Sequence, residues 1–390
     1  MFQLRLKNHH DRRIRGGHPW VFSNELQDVP ALESGSIVEV LSHRGESFGV
    51  GLYNPKSLIS VRLLNSKIHE LSMEFFIERL QSALALRQRI FSEETSYRLV
   101  FGESDLLPGV VIDRYGDYFS LQILSAGMDS RIDMIVSALL AVFPATKGIC
   151  EKNTSHLRQL EGLELRDGVI FGEIPDDIAI TENGLQLSVS LLGGQKTGYF
   201  LDQKINRMKV REIARDLRIV DCFCNQGGFA LNAAAGGAAE AVGVDISGAA
   251  VAAAARNATL NSLSNTSFQK EDVFAFLKSE VASKKSWDCV ILDPPSFTKS
   301  KKNVPAAKKG YAEINRLALQ LLPIGGFLVS ASCSQHIYEE TFLEIIHHEA
   351  SKLGRNVRII FRGGQSPDHP ILLGMPETEY LKFFIFQVVG

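Results

Sequence analysis

Short apolar runs of period two open the chain, and longer apolar runs alternating with helical segments close it. Ile37-Val38-Glu39-Val40 and Phe48-Gly49-Val50-Gly51-Leu52-Tyr53 flank a turn composition at 42–46. Ile59-Ser60-Val61-Arg62-Leu63 alternates as a half-buried strand does. This pattern predicts a small β-rich module over 1–68. Between 70 and 92, Phe75, Phe76, Leu80, Ala83 and Leu84 recur at helical spacing, with Arg79 and Arg87 on the flank. Residues 110–124 read as strand, Gly116-Asp117 turn, strand, and a second helix is expected over 129–143. Together they predict an α+β middle domain over 69–185. Its loop acids Glu103 and Asp105 could be functional, but loop acids are usually solvated and they read as such.

From 186 the period changes. An alternating strand at 185–192 leads into a Gly-rich stretch, and apolar runs then fall at 218–222, 241–245, 288–292 and 325–331. The intervening Ala-rich segments 229–239 and 247–260 are strong helix formers. Strand–helix alternation predicts an α/β domain over 186–390 with a mostly parallel sheet covered on both faces. The last runs, 357–361 and 383–389, lack a full helix between them and are expected to form an antiparallel edge pair.

Composition adds limits. The chain has 390 residues, 45% of them hydrophobic, and a net charge of −2. That length implies more than one core. No apolar run approaches the ~20 residues that span a bilayer, and the N-terminus does not read as a signal peptide. Five cysteines without framework spacing fit a reducing cytosol. The charge excludes a globally basic nucleic-acid binder, yet two local patches stand out. Arg12, Arg13 and Arg15 crowd the first, and Lys299, Lys301 and Lys302 the second. The segment Gly16-Gly17-His18-Pro19-Trp20-Val21-Phe22 reads equally as an RNA grip or as a turn into a core tryptophan.

Candidate chemistry gathers at strand ends. Asp221 and Phe223 precede a Gly turn at Gly227 that opens a helix, the layout of a nucleotide-type site, though without Gly-x-Gly-x-x-Gly. Asp245 ends the next strand, where an acid takes ribose hydroxyls. Asp272 follows the third strand, within reach of an adenine amino group. Asp293-Pro294-Pro295 ends the fourth. This ordered set matches a Rossmann-like class I methyltransferase using S-adenosylmethionine, with Gln203 placed beside the cofactor. Cys222-Phe223-Cys224, without a second pair, makes a poor metal site, and no metal is expected.

Beyond the next strand lies Ser332-Cys333-Ser334. Asp-Pro-Pro followed by an aromatic serves amino-nitrogen and pyrimidine-C5 methylation alike. A pyrimidine C5 is a poor nucleophile until a thiolate adds at C6, so a cysteine in the crevice separates the two. Cys333 is read as that nucleophile and Asp293 as the group that holds the N3/N4 edge. Tyr199 or Phe297 is expected to stack on a flipped base, and Lys196, Lys299, Lys301 and Lys302 to hold flanking phosphates.

At these residues the whole chain resembles the bacterial large-subunit ribosomal RNA cytosine-5 methyltransferases with an N-terminal PUA domain. The carrying segments are His18-Pro19-Trp20-Val21-Phe22, Gly102-Glu103-Ser104-Asp105 through Asp113-Arg114, Lys196-Thr197-Gly198-Tyr199-Phe200-Leu201-Asp202-Gln203, Gly227-Gly228-Phe229-Ala230, Asp293-Pro294-Pro295-Ser296-Phe297, Ser332-Cys333-Ser334 and Asp368-His369-Pro370. The resemblance implies a PUA module at 1–68, a middle domain, a C-terminal methyltransferase, 5-methylcytosine in 23S rRNA as product, and Cys333 as nucleophile. One departure matters: Ser296 and Phe297 stand where many cytosine-5 RNA methyltransferases carry a second cysteine. The base that removes the C5 proton is therefore unassigned. Uracil-5 chemistry, amino-nitrogen chemistry and a non-catalytic RNA-binding assembly factor remain alternatives. The oligomeric state is open, a homodimer included.

Overall fold

Five short strands build the N-terminal sheet: β1 (Phe2–Arg5), β2 (Trp20–Phe22), β3 (Ile37–Leu41), β4 (Ser47–Tyr53) and β5 (Ile59–Leu63), in the order β1-β3-β4-β5-β2. A single helical turn, α1 (Arg12–Arg15), lies between the first two. The computed structural model describes residues 1–64, 70–193, 198–298 and 300–390. Two units emerge from its contacts. The first holds Met1–Ile180, Val189–Leu201 and Pro367–Glu379, and the second holds Thr181–Ser188, Asp202–Ser366 and Tyr380–Gly390.

Within the first unit, α2 (Met73–Ile90) covers a second sheet. Ser72 caps it by accepting from the Phe75 N–H, and Arg87 and Arg89 occupy the last turn, where cations favour the helix dipole. The sheet comprises β6 (Ser96–Phe101), β7 (Val110–Tyr115), β8 (Tyr118–Ile123), β9 (Gly148–Asn153) and β10 (Arg166–Gly172), in the order β10-β9-β8-β7-β6. The hairpin β7–β8 turns at Gly116-Asp117 as its sequence requires. The helix expected over 129–143 divides into α3 (Ala126–Asp129) and α4 (Ile132–Val142), and α5 (Leu157–Leu160) is a single turn.

The loop acids are not solvated. Arg87 is fully buried, pairs with Asp105 through both terminal nitrogens, and donates to the Asp368 carbonyl at 2.7 Å. Glu103 accepts from the Trp20 indole N–H at 2.7 Å and from Arg62 at 2.9 Å. A buried charge survives folding only when paired and hydrogen-bonded, and here the guanidinium and carboxylate of distant segments satisfy each other. In the Gly16–Phe22 stretch, His18 is buried and meets Glu377, and Trp20 is tied to Glu103.

A two-stranded hairpin follows, β11 (Ile178–Glu182) with β12 (Leu185–Val189), turning through Asn183 and Gly184 at positive φ. The second unit is dominated by a seven-stranded sheet. Its strands are β13 (Arg218–Cys222), β14 (Glu240–Asp245), β15 (Thr266–Lys270), β16 (Cys289–Leu292), β17 (Phe327–Ser332), β18 (Val357–Gly363) and β19 (Lys382–Val388). Their order is β15-β14-β13-β16-β17-β19-β18. The first five are mutually parallel, and β19 runs antiparallel to both neighbours. The last two runs thus pair as expected, but β19 inserts beside β17 and leaves β18 at the edge. Helices α6 (Lys204–Ile213), α7 (Gly228–Ala235) and α8 (Gly248–Leu260) precede α9 (Val273–Ala282), α10 (Val304–Leu321) and α11 (Glu339–Lys352). Alternate residues of the central strands enter two separate apolar clusters. Val220, Val290 and Leu328 meet α9, α10 and α11, while Ile219, Ile291 and Val329 meet α6 and α7. This is the Rossmann-like class I architecture.

Candidate active site

Parallel strands end on the same side of a sheet, so their C-terminal loops share one edge. Read across the sheet from β15 to β17, that edge carries Asp272, Asp245, the turn 222–227, Asp293 and Cys333. Ladder register sets their levels. Cys222 pairs with Leu292 and Leu292 with Ser330, so Cys333 lies two residues beyond the level of Asp293.

The turn after β13 is tight. Phe223 (φ 64°), Asn225 (φ 48°) and Gly227 (φ 81°) all adopt positive φ, a conformation held only where surroundings over-determine it. The surroundings are visible. Asp245 accepts from the Asn225 N–H at 2.9 Å with one oxygen and from the Ser247 N–H at 2.8 Å with the other. Asp221, almost wholly buried, accepts from the Ala230 N–H in the first turn of α7 at 3.0 Å. Burial pushes its carboxyl up to about 8, and the negative charges of Asp293 and Asp245 add to the shift while the Ala230 N–H opposes it. Its second oxygen is buried without a partner. Asp272 is exposed and caps α9 through the Ala275 N–H at 2.9 Å.

These residues fit an adenosyl cofactor. An orphaned carboxyl oxygen, a backbone turn at positive φ and two further acids lie on consecutive strand ends. Gly227 tolerates no side chain: a Cβ would lie 2.9 Å from the Ala254 Cβ and 3.0 Å from the Phe268 ring, besides the left-handed φ. Gly227→Ala is therefore expected to weaken S-adenosylmethionine binding by about tenfold or more and to lower Tm. Calorimetric titration with unchanged affinity would show that this turn does not form the cofactor seat.

The chemical end is held partly by side chains that the sequence alone did not single out, Asn206, Tyr311 and Lys382. The Asp293 carboxylate accepts from Gln203 Nε2 at 3.0 Å, and Gln203 Oε1 in turn accepts from Asn206 Nδ2 at 2.6 Å. Gln203, expected at the cofactor, is thus directly engaged with Asp293. Ser332 donates to the Tyr311 hydroxyl at 2.9 Å, and Ser334 shares hydrogen bonds with Tyr311 at 3.0 Å and with Ser296 at 3.1 Å. Both serines are buried and Cys333 between them is partly exposed. Burial pushes the Tyr311 phenol up to about 12, so it stays a neutral hydroxyl. Lys382 donates to the Ser334 and Tyr380 carbonyls, each at 2.8 Å. Tyr311 sits among Ala307, Ile314 and Ala318 and reads as core. Lys382 opening a run of phenylalanines was the one available signal.

Other expected site residues fall differently. Tyr199 is 7% exposed, and its backbone N–H and C=O both meet the Tyr115 hydroxyl, so it offers no face to a base. Phe297 is half-buried, its ring centroid 4.7 Å from that of Tyr311, which fits a wall of the crevice more than a free stacking platform. Lys196 and Lys299 lie outside the described residues. Lys301 and Lys302 are exposed in the turn that opens α10, with Lys308 and Lys309 a turn or two on. Arg12 is exposed, but Arg13 pairs with Glu25 and Arg15 with Asp11 and Glu46. The first patch is therefore weaker than its arginine count. Among the described residues no cluster of His, Cys, Asp and Glu could hold a metal, and no helix is long and apolar enough to cross a membrane.

Comparison with known proteins agrees with this architecture. Residues 4–66 match the PUA-like domain, and residues 167–372 match the S-adenosylmethionine-dependent methyltransferase family. Fold and strand-end site define a Rossmann-like methyltransferase that uses S-adenosylmethionine. A protein of Tolumonas auensis named ribosomal RNA large subunit methyltransferase I is 40% identical, with 98% of each chain covered. Its namesake in Klebsiella pneumoniae strain 342 is 38% identical over 99% of this chain and 98% of its own. The chain belongs to this PUA-containing bacterial family. A crystal structure of SMU.776 complexed with SAH shares the fold over the full length of both chains, with a TM-score of 0.87 at 24% identity.

Proposed function

We propose that the protein methylates C5 of a cytosine in large-subunit (23S) ribosomal RNA through a covalent adduct on Cys333. The observation that carries this reading is the partly exposed thiol between two pinned, buried serines, on the strand neighbouring Asp293. Amino-nitrogen methylation needs no thiol there. The relatives' name supplies the substrate class, the PUA-like domain fits an RNA substrate, and the exposed lysines opening α10 offer charge for a phosphate backbone.

The chemistry balances as follows. The Cys333 thiolate forms a bond to C6, and the electron pair of the C5–C6 double bond is pushed toward C5 and N3. Asp293 holds the N3/N4 edge of the base and, while N3 is protonated, accepts its hydrogen bond, which stabilises the adduct. Bound S-adenosylmethionine would supply an electrophilic methyl on a sulfonium: as the C5–methyl bond forms, the methyl–sulfur bond would break and its electron pair would stay on the departing thioether. Loss of the C5 proton to a base then restores the double bond as the S–C6 bond breaks. Asp245 and Asp272 would hold the ribose hydroxyls and the adenine amino group, while Phe223, Gly227 and Asp221 line the seat between them. Gln203 orients Asp293. The target nucleotide must leave its stack to enter.

Mass mapping of ribosomal RNA from a deletion strain tests the product. One methyl should disappear from a large-subunit cytosine and return with the wild-type gene. Loss of a methyl from uracil or from an exocyclic nitrogen would replace this reading with another.

A further inference from the structure

A thiol that must add to C6 has to be ionised, and an acid beside it works against that. Asp293, on the neighbouring strand end, is such an acid. Among the described residues, the other titratable groups carried by the Cys333 loop and the neighbouring elements include His336 in the loop itself, Tyr311 from α10, Tyr380 and Lys382 at and just before the start of β19, and Asp221 at the end of β13. Tyr311 is a neutral phenol, and the Asp221 carboxyl is held largely protonated by burial. Lys382 is different in kind. It is a cation only 9% exposed, and it sits directly opposite Ser332 in the β17–β19 ladder. Its ammonium donates to the carbonyl of Ser334 at 2.8 Å and to that of Tyr380 at 2.8 Å. The residue before Cys333 is thus its ladder partner, and the residue after Cys333 is its hydrogen-bond acceptor.

We infer that Lys382 is a positioning residue for Cys333: its buried ammonium fixes the carbonyl that follows the thiol and supplies the positive charge that favours the thiolate beside Asp293. The inference rests on Cys333 being the nucleophile. Burying an ammonium is costly in desolvation. A developing thiolate on the residue next to its hydrogen-bond acceptor gives that charge a role. Tyr311 completes the frame by hydrogen-bonding both Ser332 and Ser334, so that the thiol loop is held at both shoulders.

The test is the pH dependence of iodoacetamide alkylation of Cys333 in the full-length, RNA-free enzyme, followed peptide by peptide. The other four thiols are buried and pushed upward by that burial, Cys150 to about 11, so they do not compete. Wild-type Cys333 should ionise below the ordinary thiol value of about 8.5. In Lys382→Met the midpoint should rise by about one unit, with alkylation at neutral pH about tenfold slower, and Lys382→Arg should restore most of the loss. The acid limb of kcat should move with it while KM for RNA stays put. A wild-type midpoint at or above the ordinary value overturns the inference whether or not the methionine variant folds. Identical profiles in wild type and Lys382→Met overturn it as well. Failure of the C5 reading is separate: it would appear as a low thiol midpoint with no covalent adduct on 5-fluorocytidine RNA.

Discussion

Replacing Cys333 with alanine should abolish both turnover and covalent capture of RNA carrying 5-fluorocytidine. Fluorine at C5 cannot leave as a proton does, so a C6–sulfur adduct that has accepted its methyl stays attached to the protein. A gel-shifted, denaturant-resistant complex with wild type and none with Cys333→Ala is the expected pair of results. Without the nucleophile, C5 keeps its weak intrinsic reactivity, and kcat should fall by about 10⁴-fold or more, equivalent to at least about 5 kcal/mol of barrier. Stability should hardly change, because the side chain is partly exposed and such substitutions usually fall within about 0.5 kcal/mol. S-adenosylmethionine affinity should be retained too, since the acids Asp245 and Asp272 are untouched. Retained methyl transfer in Cys333→Ala would exclude the adduct and favour amino-nitrogen chemistry.

Strand ends were the legible part of this chain. A β-strand buried on both faces writes itself as an apolar run, and in a parallel sheet the residue after that run lies at the ligand-bearing edge. Asp245, Asp293 and Cys333 could therefore be placed from sequence, as could the alternation that defines the second unit. What did not show was pairing between distant segments. Asp105 and Glu103 read as solvated loop acids because nothing local marks Arg87 or Arg62 as their partners. Tyr199 lay in a stretch rich in ligand-type residues, yet the Tyr115 hydroxyl claims its backbone and its side chain is buried. Arg13 and Arg15 looked basic until the partner acids arrived from 25, 11 and 46. The insertion of β19 beside β17 follows the same rule, since an apolar run states that a strand is buried but not which neighbours bury it.

Asp293→Asn should suppress methylation of cytosine by about 10³-fold and suppress that of uracil far less. Gln203 decides this. Its Oε1 already accepts from Asn206 Nδ2, so its Nε2 remains the donor toward residue 293. An asparagine there must keep its oxygen toward Gln203 and turn its NH2 into the crevice. That presents a donor to the amino group of cytosine, where the carboxylate had presented an acceptor, and a mismatched buried donor pair is rejected strongly. Uracil, with a carbonyl at that position, accepts from the new NH2. Paired assays on oligonucleotides with cytosine or uracil at the target separate the outcomes; equal loss on both would mean that Asp293 acts through charge alone and does not read the base edge. Stability provides an internal control. The folded-state value of the Asp221 carboxyl is raised from 3.8 to about 8, first by burial and in part by the charge of Asp293. Folding then takes up a proton, so this group costs stability progressively as pH rises from about 4 to about 8. Removing the charge of Asp293 lessens the shift, and the variant should melt higher than wild type near pH 8 but alike near pH 4. A protein that is less active yet more stable at alkaline pH has lost an interaction with substrate, not its fold.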